Sequence, residues 1–321
     1  MELLPSLAEI ESITAAMDAL VPPTPQFSWP LLNVRAGCEL WVKHENHTPI
    51  GSFKIRGALH HLGRVLARAP SLRGVICATR GNFGQAVAYA ARRHGLPSVI
   101  IVPHDNSVEK NAAMRALGAE LIEHGDDFQA ALEYAEQLAT GRQLHFMPSY
   151  HRDLAWGNAV STLDFLRGTP PLERVYVPIG LGSGICGMLA ARDALGLPTK
   201  IVGVATELTP GITLSFAAKR LIAHPVSTRI ADGMACSTPN PDALQHILRG
   251  VERIAVVSDD ETESAMRAYF TDTHNVAEGA AGAGLAAVLQ EKELNAGRRV
   301  GVVCTGGNVD QSVFARVLAA A

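Results

Sequence analysis

The sequence predicts an α/β protein of two lobes, each a mostly parallel sheet flanked by helices. Three observations carry this prediction. Short runs rich in β-branched residues alternate with alanine-rich stretches along the 321 residues. Several of those runs are apolar on both faces, as strands are when helices cover a sheet on both sides. The runs also form two series, one starting near residue 75 and one near residue 175. A chain of this length can bury two cores.

The elements follow in order. Leu7, Ile10, Ile13, Met17 and Leu20 recur at helical spacing, and Ser6 with Glu9 makes a capping box, so a helix opens the chain. Pro22, Pro23 and Pro25 end it. Strands are expected at 40–42, 75–79, 99–102, 120–122, 175–179, 201–205, 254–257 and 300–304. Arg80-Gly81-Asn82 leads from the second of these into a helix at 83–94, and Gly95-Leu96-Pro97 turns the chain into the third. A helix at 108–117 starts after Ser107 as its N-cap and stops at Gly118. Another, at 185–195, follows a glycine-rich turn. Residues 1–70 and 150–321 are expected to form a large domain and 71–149 a small one, with a ligand cleft between them.

Composition excludes several classes. The net charge is −3 with acids and bases interspersed, which argues against a surface for polyanions. No basic run carries interleaved aromatics, so nucleic acid is not an expected partner. No apolar stretch has the length to cross a bilayer, and the N-terminus lacks the pattern of a signal peptide. Cys38, Cys77, Cys186, Cys236 and Cys304 are scattered, with no Cys-x-x-Cys pair. They read as reduced thiols of a cytoplasmic protein.

Four segments carry chemistry. In Gly51-Ser52-Phe53-Lys54-Ile55-Arg56-Gly57-Ala58 a lysine stands in the first turn of a helix, among neighbours small enough to let a flat ligand approach. Such an amine serves as a salt-bridge partner or, once desolvated, as a nucleophile toward a carbonyl. Gly180, Gly182, Gly184 and Gly187 follow a strand and open a helix, a phosphate cradle of backbone N–H groups. Read from Gly182 the same turn contains Gly-x-Gly-x-x-Gly, and Glu207 follows the next strand, so a dinucleotide site stays open. Thr79-Arg80-Gly81-Asn82-Phe83-Gly84-Gln85 offers polar groups at a helix start, suited to a carboxylate or to ordinary capping. Cys304-Thr305-Gly306-Gly307-Asn308 follows a strand, where Thr305 offers a neutral hydroxyl to a ring nitrogen or closes a turn. His44, His47, His60 and His61 crowd near the lysine without metal-ligand spacing and read as packing or surface residues. Met114, Met188 and Met234 read as core fillers.

Together these segments resemble the fold-type II pyridoxal-phosphate enzymes, in the branch of threonine/serine dehydratases and serine racemases. Ala231-Asp232-Gly233, Glu278-Gly279-Ala280-Ala281-Gly282-Ala283, Lys110 and Gly118-Ala119-Glu120 are similar to family segments as well. The resemblance implies a tryptophan synthase β-subunit-like fold with pyridoxal 5'-phosphate in the cleft between the lobes. It implies that Lys54 holds the cofactor aldehyde and is the catalytic residue, with Phe53 packed on the ring. Asn82 is implied at the ring's phenolic oxygen, Gly180, Leu181, Gly182, Ser183 and Gly184 at the phosphate, Thr305 at the pyridine nitrogen, and Glu278 in the cofactor site. Ser52, Thr79, Arg80, Gly81, Asn82 and Phe83 are the implied substrate-binding residues. The implied reaction is removal of the β-hydroxyl of a small threonine- or serine-like amino acid, giving a 2-oxo acid and ammonia, in a homodimer.

The sequence departs from the family pattern at several points. Arg80 stands where racemases have serine and many dehydratases alanine, and a guanidinium is a poor acid or base near neutrality. That disfavours racemisation, which with β-replacement is the nearest alternative; a nicotinamide-dependent oxidoreductase is the remote one. Phe83 replaces the usual histidine, and Leu181, Ser183 and Gly184 replace glycine, glycine and leucine. Trp156-Gly157-Asn158-Ala159 departs from a Gly-Gln-Gly-Thr type segment. Glu207 is displaced from the acidic position that serves the metal of some relatives, so no metal is expected. No regulatory domain is expected after Ala321.

Overall fold

The structure, a computed structural model, describes residues 4–320. The chain opens with α1 (Leu7–Met17), β1 (Gln26–Ser28), α2 (Pro30–Ala36), β2 (Glu39–His44) and α3 (Lys54–Arg68). It continues with β3 (Val75–Ala78), α4 (Asn82–Arg93), β4 (Ser98–Val102), α5 (Val108–Ala116), β5 (Glu120–Glu123), α6 (Phe128–Arg142) and β6 (His145–Phe146). Then come α7 (Arg152–Arg167), β7 (Arg174–Pro178), α8 (Ser183–Ala194), β8 (Lys200–Thr206), α9 (Gly211–Ala218), α10 (Pro241–Gly250) and β9 (Val251–Val257). The last elements are α11 (Asp259–Thr273), α12 (Gly279–Gln290), α13 (Lys292–Asn295), β10 (Arg299–Cys304) and α14 (Gln311–Ala319).

Among the described residues ten strands form two sheets, a six-stranded one ordered β1-β2-β10-β7-β8-β9 and a four-stranded one ordered β5-β4-β3-β6. Among the described residues every ladder is parallel except that of β1 against β2. The alternation of side chains across a strand divides the apolar residues between two faces. In the larger sheet Tyr176, Val202, Val204, Val300 and Val302 enter one core, while Val175, Val177, Ile201 and Val303 enter the other. In the smaller sheet Val75, Cys77, Ile100 and Val102 face one core, and Ile76, Ala78, Val99 and Ile101 the opposite one.

Both halves of the Ser6–Glu9 capping box form at the start of α1, and the Ser107 hydroxyl accepts the N–H of Lys110 at 3.1 Å to start α5. β1 and β6 lie outside the sequence expectation. Three and two residues long respectively, they are too short to show an alternating pattern. α4 and α8 start at Asn82 and Ser183, ahead of the expected 83 and 185, because small polar residues open each helix before its apolar stripe begins. The loops after β3, β7 and β10 lie at the carboxyl ends of parallel strands, the usual ligand side of such sheets.

Candidate active site

Lys54 is the first residue of α3, and Phe53 before it has helical backbone angles and offers no side-chain cap. Two N–H groups near this helix start have partners outside the helix. Phe53 N–H donates to the Thr305 carbonyl at 3.0 Å, and Gly57 N–H to Asn158 Oδ1 at 3.1 Å. Ser52 forms an antiparallel bridge with Gly306, and Gly307 N–H donates to the Gly51 carbonyl at 3.0 Å. The lysine is thereby tied to the end of β10. Behind it α3 and α7 touch backbone to backbone: a Cβ on Gly157 would stand 2.6 Å from the Arg56 carbonyl oxygen, and one on Gly57 2.7 Å from that of Leu154.

The glycine turn meets this lysine from the far side. Gly182 precedes α8 with φ 105°, a left-handed conformation that favours glycine. A Cβ on Gly180 would lie 2.6 Å from the Gly233 carbonyl oxygen, and one on Gly184 3.2 Å from Cε2 of Phe53. The Phe53 ring rests on Gly184, and Lys54 Nζ lies 4.9 Å from the centroid of the same ring. One aromatic ring therefore joins the amine to the turn. Gly187 has a different task, since a Cβ there would stand 3.0 Å from the Ala155 carbonyl oxygen at the α7–α8 crossing.

Burial lowers the pKa of Lys54, and Glu278, Cys236 and Asp232 oppose the shift only in part. Glu278 is 3 % exposed, and its N–H donates to the Gly306 carbonyl at 3.0 Å. Both of its carboxylate oxygens accept from Asn82 Nδ2 at 2.8 Å, while Asn308 Nδ2 donates to Asn82 Oδ1 at 2.8 Å. Burial pushes the Glu278 carboxyl up, with Lys110 and Lys54 pulling against it. Lys110 donates to Asp232; burial disfavours its charge, but Asp232 and Glu278 outweigh burial and its pKa rises. Asn82 and Lys110 come from the segment of the four-stranded sheet, their acidic partners from that of the six-stranded sheet.

Two hydroxyls at the site are idle. Thr305 is 6 % exposed and Ser52 0 %, and neither Oγ1 of the one nor Oγ of the other has a hydrogen-bond partner. Buried polar atoms without partners are uncommon and call for a ligand or another explanation.

The helix start at α4 differs in part from the sequence expectation. Thr79 Oγ1 accepts the N–H groups of Gly81 at 3.0 Å and Gly84 at 3.3 Å, so two donors expected for a ligand are spent on the turn itself. Phe83 packs into the apolar core of the smaller sheet, because a phenyl ring has no polar edge to offer a ligand, and only its backbone is left for one. Arg80 is exposed and makes no ion pair with a described residue. No local pattern assigns a role to Lys110 with Asp232, to Asn308 or to Asn158, because each has its partner in a distant segment.

The sequence profile of the family described as "Pyridoxal-phosphate dependent enzyme" matches residues 17–306. The chain belongs to that family. It is 31 % identical over 289 residues to an "L-threonine ammonia-lyase" of Thermotoga maritima, covering 90 % of this chain and 72 % of that protein. An "L-threo-3-hydroxyaspartate ammonia-lyase" of Saccharomyces cerevisiae is 29 % identical over 317 residues, with 98 % and 97 % covered. Among solved structures a "pyridoxal 5'-phosphate-dependent aspartate racemase" superposes with a TM-score of 0.91 at 28 % identity, covering 97 % of this chain and 98 % of that one. The chain is therefore an enzyme of the fold-type II pyridoxal-phosphate group. The named ammonia-lyases bear out the dehydratase reading of its sequence, and the racemase likeness does not outweigh them.

Proposed function

We propose that this pyridoxal-phosphate dependent enzyme binds its cofactor at Lys54 and removes the β-hydroxyl of a small β-hydroxy amino acid, releasing a 2-oxo acid and ammonia. The observation that carries this reading is the Lys54 amine set against the glycine turn through the Phe53 ring. The residues fit the cofactor. Lys54 would hold its aldehyde, the N–H groups of residues 180–184 its phosphate, Phe53 would pack on its ring, and Asn82, oriented by Glu278 and Asn308, would serve the phenolic oxygen. The idle Thr305 hydroxyl serves the pyridine nitrogen.

Bound pyridoxal phosphate supplies an electron-withdrawing ring that acidifies the Cα–H of an amino acid joined to it. The chain's own residues do the rest. Lys54, its charge disfavoured by burial, takes the Cα proton. The N–H groups of Asn82 and Phe83, at the positive end of α4, hold the substrate carboxylate, and the Arg80 side chain adds a cationic, forked contact. Arg80 is too weak an acid to exchange a proton at neutral pH, which favours elimination over racemisation. The segment 71–149 acts as the small domain that forms one wall of the cleft. Five free thiols support a reducing, cytoplasmic setting, and a homodimer completes this reading. No helix among the described residues is long and apolar enough to cross a membrane.

A panel of L-threonine, L-serine, the 3-hydroxyaspartates and an aryl-serine, assayed for ammonia together with 2-oxo acid, tests the proposal. Equal amounts of both products from at least one substrate are expected. Formation of the D-amino acid without ammonia, or no turnover across the panel, overturns it.

A further inference from the structure

The proposed chemistry does not use a cluster of titratable groups at the start of α7. About two turns beyond Lys54 on α3 lies His61. It faces His151, the N-cap of α7, and Asp153 in the first turn of that helix. His61 is 4 % exposed and Asp153 1 %. Asp153 Oδ2 stands 3.6 Å from His61 Nδ1 and 3.5 Å from His151 Nδ1. One ligand atom from each residue lies within 4.8 Å of the other two. Ligands on a tetrahedral ion with bonds of about 2.1 Å are separated by roughly 3.4 Å, so both imidazole–carboxylate spacings match tetrahedral edges. They are longer than good hydrogen bonds.

A second observation points the same way. Neither ring nitrogen of the buried His61 has a hydrogen-bond partner, nor has Asp153 Oδ1. His145 Nε2, on β6, is also without one, and its ring centroid is 6.2 Å from that of His61.

We propose that His61, His151 and Asp153 bind one divalent metal ion of the zinc class, joining α3 to the start of α7. Two imidazoles and a carboxylate leave a fourth position for water, and imidazole ligands select zinc over magnesium or calcium. The ion has two competitors. His151 Nδ1 accepts the Asp153 N–H at 3.1 Å, a cap bond that the ion replaces, and Arg152 Nε lies 3.9 Å from Asp153 Oδ1 and shares that carboxylate. In the sequence His61 shows no metal-ligand spacing, because His151 and Asp153 lie about ninety residues further along the chain. The site is separate from the acidic position at which some family members hold a metal.

The test starts from the purified holoenzyme, stripped with a chelator and dialysed against zinc or magnesium chloride. Metal per chain is then measured by mass spectrometry. The parent protein is expected to retain one zinc and little magnesium. His151→Asn keeps a good N-cap for α7 while removing the imidazole, so the fold is preserved. Its zinc dissociation constant should rise more than about tenfold. His61→Gln should act likewise, and cobalt(II) should give visible tetrahedral absorption in the parent protein only. Zinc retention that is equal in parent and His151→Asn, or no retention above background, overturns the site.

Discussion

An amine attacks a carbonyl or takes a proton only when uncharged, and burial supplies that condition at Lys54. The sign follows directly. A lowered pKa enlarges the neutral fraction at any pH near or below the ordinary lysine value of about 10.4. In cofactor-free protein at mildly alkaline pH, Lys54 should therefore acylate faster than an exposed lysine such as Lys200 once access is matched, as read by peptide mass spectrometry. Equal intrinsic rates would contradict the burial argument. Asn82 gives a second expectation. Replacing it with alanine removes the hydrogen bonds to a buried carboxylate and should lower stability by about 1.5–3 kcal/mol in urea unfolding. Thr305→Val separates structure from function. The hydroxyl has no protein partner, so stability should change by less than about 0.5 kcal/mol, while pyridoxal phosphate should bind more weakly. Unchanged cofactor affinity would remove Thr305 from the site.

At the scale of elements, the position of Lys54 depends on the crossing of α3 with α7. Gly57 and Gly157 bring the two backbones together, and Asn158 satisfies the Gly57 N–H where α3 lacks a side-chain cap. Gly157→Ala would force the helices apart and should cost about 1–3 kcal/mol, seen as a lower urea midpoint, with activity falling as the lysine moves. The sequence made some of this legible. β3, β4, β7, β8 and β10 announce themselves as β-branched runs, and the lysine segment and glycine turn stand out by their small residues at strand and helix ends. It concealed the use of Asn158, which lies in a departure from the family pattern and works at another helix. It also concealed the distinct role of Gly187, which looks like part of the phosphate turn but packs α8 on α7. Spacing alone does not tell a glycine needed for a ligand from one needed for a helix crossing.

At the scale of the whole molecule, polar pairs join the segment of the four-stranded sheet to that of the six-stranded one. Asn82 with Glu278, Lys110 with Asp232, Ser107 with Asp310, and the Gln311 N–H with Glu109 are such pairs. These partners lie between 122 and 203 residues apart, so the sequence shows the donors and acceptors but not their pairing. Glu278 was legible as a site residue only by resemblance. A cofactor seated among these pairs binds the folded state alone and should stabilise it. At a hundredfold excess over its dissociation constant the gain is about 2.7 kcal/mol, visible as a raised melting temperature. Lys54→Ala should lose much of that rise. The most direct measurement is borohydride reduction of the holoenzyme followed by peptide mapping. A pyridoxyl-phosphate label on Lys54, with loss of the visible band and of activity, is the expected result; a label on another lysine, or none on an active enzyme, would contradict the account.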